Sequence, residues 1–102
     1  MNYVYLIKNS EDDTYKIGVS KNPRKRLKQH QTGNSSELIL IDTYQTENAY
    51  KIEKILHRRY SFLRKEGEWF SLSLIEQFNF VNDCKKTEEG ILILRENGNV
   101  FV

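Results

Sequence analysis

The sequence predicts an α+β fold of the α/β-sandwich kind: a small, mainly antiparallel three-stranded sheet flanked by helices, ordered ββαβαα, with a C-terminal β-hairpin. Three observations predict it. Two short runs rich in Tyr, Val and Ile, "NYVYLIK" and "TYKIGV", are joined by the turn-forming "NSEDD". Apolar residues recur at helical spacing between 47 and 63. The chain has 102 residues, enough for one domain with one core, so these elements must share a single interior.

The first strand covers about residues 3–8 and the second about 14–19, paired as a hairpin. Gly18 inside the second strand marks a bulge or a close approach of backbone. Asn22 and Pro23 then open a helix, the first as N-cap and the second at the first helical position. That helix runs to about residue 31 and stops at Gly33. "ELILIDTYQ" is a third strand with apolar side chains on both faces, which makes it central and covered. Thr46 is placed to cap a long helix over about residues 47–63. Its core stripe is Ala49, Ile52, Leu56, Tyr60 and Leu63, with Arg59 falling inside the stripe. "RKEGEW" is a loop. Ser73 and Glu76 form a capping box that starts a third helix toward Lys85. "ILILRENGNVFV", residues 91–102, places apolar runs on either side of Asn97-Gly98, a strong short-range hairpin signal. The domain core is expected over about residues 3–86, with no linker and no repeat.

Composition limits the function classes. The net charge of +2 implies no partner, but its distribution is uneven: Lys16, Lys21, Arg24, Lys25, Arg26 and Lys28 fall within residues 16–30, with no acid among them. Cys84 is the only cysteine, which excludes an internal disulfide and a cysteine-based zinc cluster and fits a reducing compartment. No apolar run approaches the roughly 18 residues of a membrane span. The start "MNYVYLIKN" has neither the basic opening nor the cleavage pattern of a signal peptide. The expectation is a soluble, intracellular, cytoplasmic protein with no membrane partner.

Four places carry candidate chemistry. Tyr5 is mid-strand, on the same face as Tyr3. Lys16 lies in the neighbouring strand. Arg26 and His30 are one helical turn apart and share a face. Glu53 lies about 60° from the centre of the Ile52/Leu56 stripe, at the edge of the buried face. Taken singly, each also has an ordinary reading: a core tyrosine, an edge-strand lysine, a solvated helix face, and a surface pair of Glu53 with His57. The E-x-x-x-H spacing lacks the first histidine of H-E-x-x-H. There is no G-x-S-x-G elbow, and no glycine-rich loop to cradle a nucleotide cofactor. Taken together, the residues match what hydrolysis of a phosphodiester needs. A carboxylate holds a hard divalent cation, a guanidinium binds phosphoryl oxygens, and a base stands near the attacking water. Lys16 near Tyr5 would favour a tyrosinate.

These residues, in this order, resemble the GIY-YIG nuclease superfamily. "YVY" at 3–5 and "KIG" at 16–18 correspond to its two name motifs. "NPRKRLKQH" is similar to its arginine- and histidine-bearing helix, and "YKIEKILHRRY" to its glutamate-bearing helix. "GEWF" at 67–70 is similar to the branch in which KIG replaces YIG. The likeness covers about residues 3–72. It implies a metal-dependent DNA endonuclease that uses one Mg2+ or Mn2+ per site. Tyr5 would be general base or water-positioning group, Arg26 would bind the phosphate, Glu53 the metal, and His30 would assist. Lys16 stands where the family has its second tyrosine. Lys21, Arg24, Lys25 and Lys28 are expected on DNA phosphates, and Tyr15, His57, Glu68 and Trp69 are accessory candidates. Asn79 and Asn82 compete for the late family asparagine. The alternative is a catalytically inactive module on the same fold that binds nucleic acid or a protein partner.

Overall fold

The structure, a computed structural model, describes residues 1–65 and 67–98. β1 (Asn2–Asn9) and β2 (Thr14–Ser20) form the expected hairpin. Its turn is shaped by Asp12, whose carboxylate accepts from the Thr14 amide and hydroxyl, and by Asp13, which takes the left-handed φ of 54°. α1 (Pro23–Thr32) starts on Asn22, whose side chain accepts from the Lys25 amide. β3 (Leu38–Thr46) returns antiparallel beside β1. α2 (Ala49–Arg59), a 3-10 turn (Ser61–Leu63), β4 (Trp69–Ser71), α3 (Leu74–Phe78) and α4 (Phe80–Glu96) follow.

The sheet is antiparallel, in the order β3-β1-β2-β4. Because β1 is central, its alternate residues serve two covered faces. Val4 and Leu6 join Ile17, Ile52, Leu56 and Phe80 under α2 and α4. Tyr5 and Ile7 join Leu38, with Leu27 of α1 and Trp69 of β4 packed on them. α4 is tied to β3 by Glu88, which accepts from Tyr44 Oη at 2.6 Å, Asn48 Nδ2 at 2.9 Å and the Thr46 hydroxyl. Burial and this carboxylate together push the Tyr44 phenol up to about 12.

Five expectations are corrected. β3 is an edge strand with Ile39 exposed, not central and covered, because β1 takes the central place between it and β2. Among the described residues the sheet has four strands, not three. Part of the "RKEGEW" loop is β4, which pairs with Thr14, Tyr15 and Lys16, a strand too short to show a period-two pattern. The long helix is shorter at both ends. It begins after Asn48, with Thr46 Oγ1 accepting from the Asn48 amide at 3.0 Å, and ends at Arg59. Arg59 is exposed while Tyr60, just past the helix end, is buried, so Arg59 never enters the core. The third helix breaks at Asn79 into α3 and α4. The C-terminal hairpin is contradicted over its first run, because residues 91–96 belong to α4. A continuous apolar run does not separate strand from helix by period. Asn97-Gly98 is the end of a helix, where Gly98 at φ 82° donates its amide to the Arg95 carbonyl at 3.0 Å. The second run of that hairpin, residues 99–102, lies outside the described residues.

Candidate active site

Tyr5 is the centre of the site. Tyr5 is 2% exposed, and its ring lies close over Gly18, its cross-strand partner. A Cβ on residue 18 would come within 2.9 Å of Tyr5 Cε2 and closer still to its hydroxyl and Cζ. The glycine is therefore needed for the ring to lie where it does, the close approach expected from the sequence. From there the Tyr5 hydroxyl reaches His30 Nε2 at 3.2 Å, with the ring centroids 6.4 Å apart. Burial holds the Tyr5 phenol above its ordinary range. The Arg26 guanidinium beside it pulls the other way, and the charges of Glu53 and Glu68 add to the rise. A standing tyrosinate is therefore disfavoured, contrary to the expectation from Lys16. Burial also lowers the His30 imidazole, helped by the positive charges of Lys16 and Arg26, so His30 is neutral at neutral pH.

Lys16 faces the same side as Tyr5, but its ammonium is committed to Glu68 Oε2 at 2.7 Å and lies 5.9 Å from the Trp69 ring centroid. The ion pair with Lys16 holds the Glu68 carboxyl below its ordinary range. β4 makes this arrangement by pairing Trp69 opposite Lys16. Arg26 is exposed and donates to Gln29 Oε1 at 3.1 Å, an i,i+3 partner not singled out from the sequence.

Glu53 arrives from the other side of the sheet, because α2 packs through Ile52 and Leu56. Among the described residues, β4 pairs with β2 only as far as Lys16, so the edge beyond is open. There His57 donates its Nε2–H to the Ile17 carbonyl at 2.7 Å and packs edge-on against Phe70, centroids 5.1 Å apart. Glu53 lies one turn earlier on the same side of α2. Partial burial raises its carboxyl above the ordinary range, His57 opposes this, Glu68 adds to it and Lys16 opposes it. Tyr5, Lys16, Arg26, His30, Glu53 and Glu68 thus form one electrostatic neighbourhood, with His57 positioning the edge.

Among the described residues, no hydrogen bond or ion pair reaches the Glu53 carboxylate, and no group of three acidic, His or Cys ligands exists. A part-buried, unpaired carboxylate with a second one acting on it suits a hydrated Mg2+, which takes one or two carboxylates and keeps most of its waters. It does not suit a caged ion.

Other candidates lie elsewhere. Tyr15 points into the opposite core, and its hydroxyl donates to Gln77 Oε1. Lys21 and Arg24 line a shallow groove of about 400 Å³ with Tyr3, Leu40 and Thr43. Arg24, Lys25 and Lys28 are exposed on α1, and at about 100° per residue Arg24 and Lys28 flank Leu27 on the side away from Arg26 and His30. Asn79 serves the α3–α4 junction, and Asn82 is exposed on α4.

Comparison with known proteins places the chain. It is 33% identical over 89 residues to a KilA-N domain-containing protein, 315L, of Invertebrate iridescent virus 6, covering 79% of this chain and 38% of that relative. The chain therefore spans well under half the length of the relative it matches. No solved structure matches it significantly. The signature of the T5orf172 domain matches residues 2–89, nearly all of the sheet and its helices, so the chain belongs to the T5orf172 domain family, one associated with nuclease-like or DNA-binding function.

Proposed function

We propose that this chain is a metal-dependent DNA endonuclease domain of the GIY-YIG type, hydrolysing phosphodiester bonds. The observation that carries it is the Tyr5 hydroxyl, held over Gly18 against neutral His30 and flanked by the charges of Arg26 and Glu53. Family membership supports the nuclease-like side of this reading.

Water attacks phosphorus, a new P–O bond forms, and the P–O bond to one sugar breaks, its electron pair leaving on the sugar oxygen, which takes up a proton from solvent water. Tyr5, kept protonated by its raised pKa, donates to His30 Nε2 and turns its oxygen lone pairs to the incoming water. It takes the water's proton as it passes its own to His30, so no free tyrosinate has to exist. Neutral His30 is in the right state to accept that proton. The exposed Arg26 guanidinium is free to bind phosphoryl oxygens in a forked contact, where charge grows in the transition state. Lys16 is a positioning residue that holds Glu68 at the rim. Glu53 would hold a Mg2+ or Mn2+ ion, which supplies charge neutralisation at the phosphate and a more acidic water.

The test is nicking of supercoiled plasmid with Mg2+ or Mn2+. The parent chain should nick, Glu53→Gln should bind DNA without nicking, and Arg26→Ala should lose nicking and some affinity. A parent that binds DNA and never nicks, with either metal, is the inactive module. A Glu53→Gln variant that nicks like the parent removes Glu53 from the metal.

A further inference from the structure

On the face of the molecule away from Tyr5, α2 and α4 enclose a groove of about 620 Å³. Its rims carry Lys51, Lys54, Arg58 and Arg59 from α2 and Lys86 from α4, and no carboxylate lines it among the described residues. Among the described residues, none of these five cations makes an ion pair. Ile55, Ile91 and Leu94 give it an apolar wall. Five like charges around an apolar slot repel one another and favour an anionic occupant.

Gly90 adds an independent observation. It lines the groove in the interior of α4, where glycine weakens a helix relative to alanine. Nothing in the fold requires it, since a Cβ there would meet no atom within 4 Å and no left-handed φ is adopted. Its effect is a notch in the groove that lets something outside the chain come close.

We propose that this groove docks an acidic amphipathic helix of a partner protein. Apolar side chains of that helix rest over Gly90 against Ile55 and Leu94, and its carboxylates meet the α2 and Lys86 cations. This is the helix-in-groove mode, in which anchors at i, i+3, i+4 and i+7 supply contact area and flanking charge supplies selectivity. A phosphate backbone would use the cations but gain nothing from the apolar wall or the notch.

The test titrates the full chain into a fluorescent synthetic helix with leucines at those four positions and glutamates on both flanks. Its glutamine counterpart and a labelled DNA duplex are run in parallel. The glutamate peptide should bind about tenfold or more tighter than the glutamine one. Arg58→Glu with Lys86→Glu should cost the peptide a similar factor or more. Gly90→Leu should fill the notch and also cost the peptide about tenfold or more, while duplex affinity and the thermal midpoint do not fall. Equal binding of the two peptides would overturn the proposal, as would full peptide affinity after Gly90→Leu. Duplex binding lost through the charge reversals, with no peptide binding, would make the groove a nucleic-acid surface and overturn it too.

Discussion

Gly18→Ala is expected to lower stability, although most glycine-to-alanine changes inside a strand raise it. Removing the backbone entropy cost of glycine is worth about 0.5–1 kcal/mol in favour of alanine. Against this, the new Cβ lies within 2.9 Å of Tyr5 Cε2 and nearer to the hydroxyl and Cζ. The ring cannot step aside: Tyr5 is 2% exposed and packed by Ile7, Leu38, Leu27 and Trp69. Overpacking of this kind costs about 1–3 kcal/mol, and a rigid aromatic against main-chain geometry belongs at the upper end. The net loss is about 2 kcal/mol, or roughly 8–16 °C in Tm for a domain of this size. The assay is thermal unfolding followed by circular dichroism, repeated in a Tyr5→Leu background. Leucine lacks the ring atoms that clash, so Gly18→Ala should there be neutral or stabilising, a coupling of about 2 kcal/mol. Equal losses in both backgrounds would refute the argument that Gly18 exists to admit Tyr5.

Glu53→Gln should melt slightly above the parent at pH 7 and level with it near pH 4. The folded-state pKa of Glu53 lies above its unfolded value, so its charge costs stability once pH rises through that window. The gain stays under about 1 kcal/mol because the group is partly solvated, and a lower midpoint at pH 7 would contradict it. Nicking should persist at pH 6.5 and fall only below it, because the His30 pKa is held under that ordinary value and the imidazole stays neutral. A pH–rate profile that has already lost half its rate at pH 7 on the acid limb would exclude His30 as acceptor. Duplex binding should weaken steeply with salt. Lys21, Arg24, Lys25 and Lys28, all on phosphates, would contribute about −3.6 to the slope of log K against log salt, beside the share of Arg26, and Lys28→Ala should reduce its magnitude by about 0.9. A binding constant indifferent to salt would remove these residues from the DNA contact.

Local chemistry alone determined much of this protein. The Asn22–Pro23 start of α1, the Ser73–Glu76 capping box and the β1–β2 hairpin are written in side chains that act on their own backbone, so they are readable residue by residue. The order in which Tyr5, Lys16, Arg26, His30 and Glu53 occur was equally legible, because a resemblance in sequence order survives without coordinates. Tertiary structure alone decided the rest. β4 exists only because β2 offers an edge to pair with, and that pairing sets Trp69 opposite Lys16 and Glu68 in reach of its ammonium. "ILIL" became helix because α4 is anchored to β3 through Glu88 and buries Ile91, a long-range contact that overrides an ambiguous local pattern. Tyr15 and Lys16 are neighbours in the chain, yet the pleat sends one into the α2/α4 core and the other to the site. Protonation states were the least legible of all. The raised Tyr5 and lowered His30 depend on burial and on charges brought from α1, α2 and the residue before β4, which no stretch of sequence holds together.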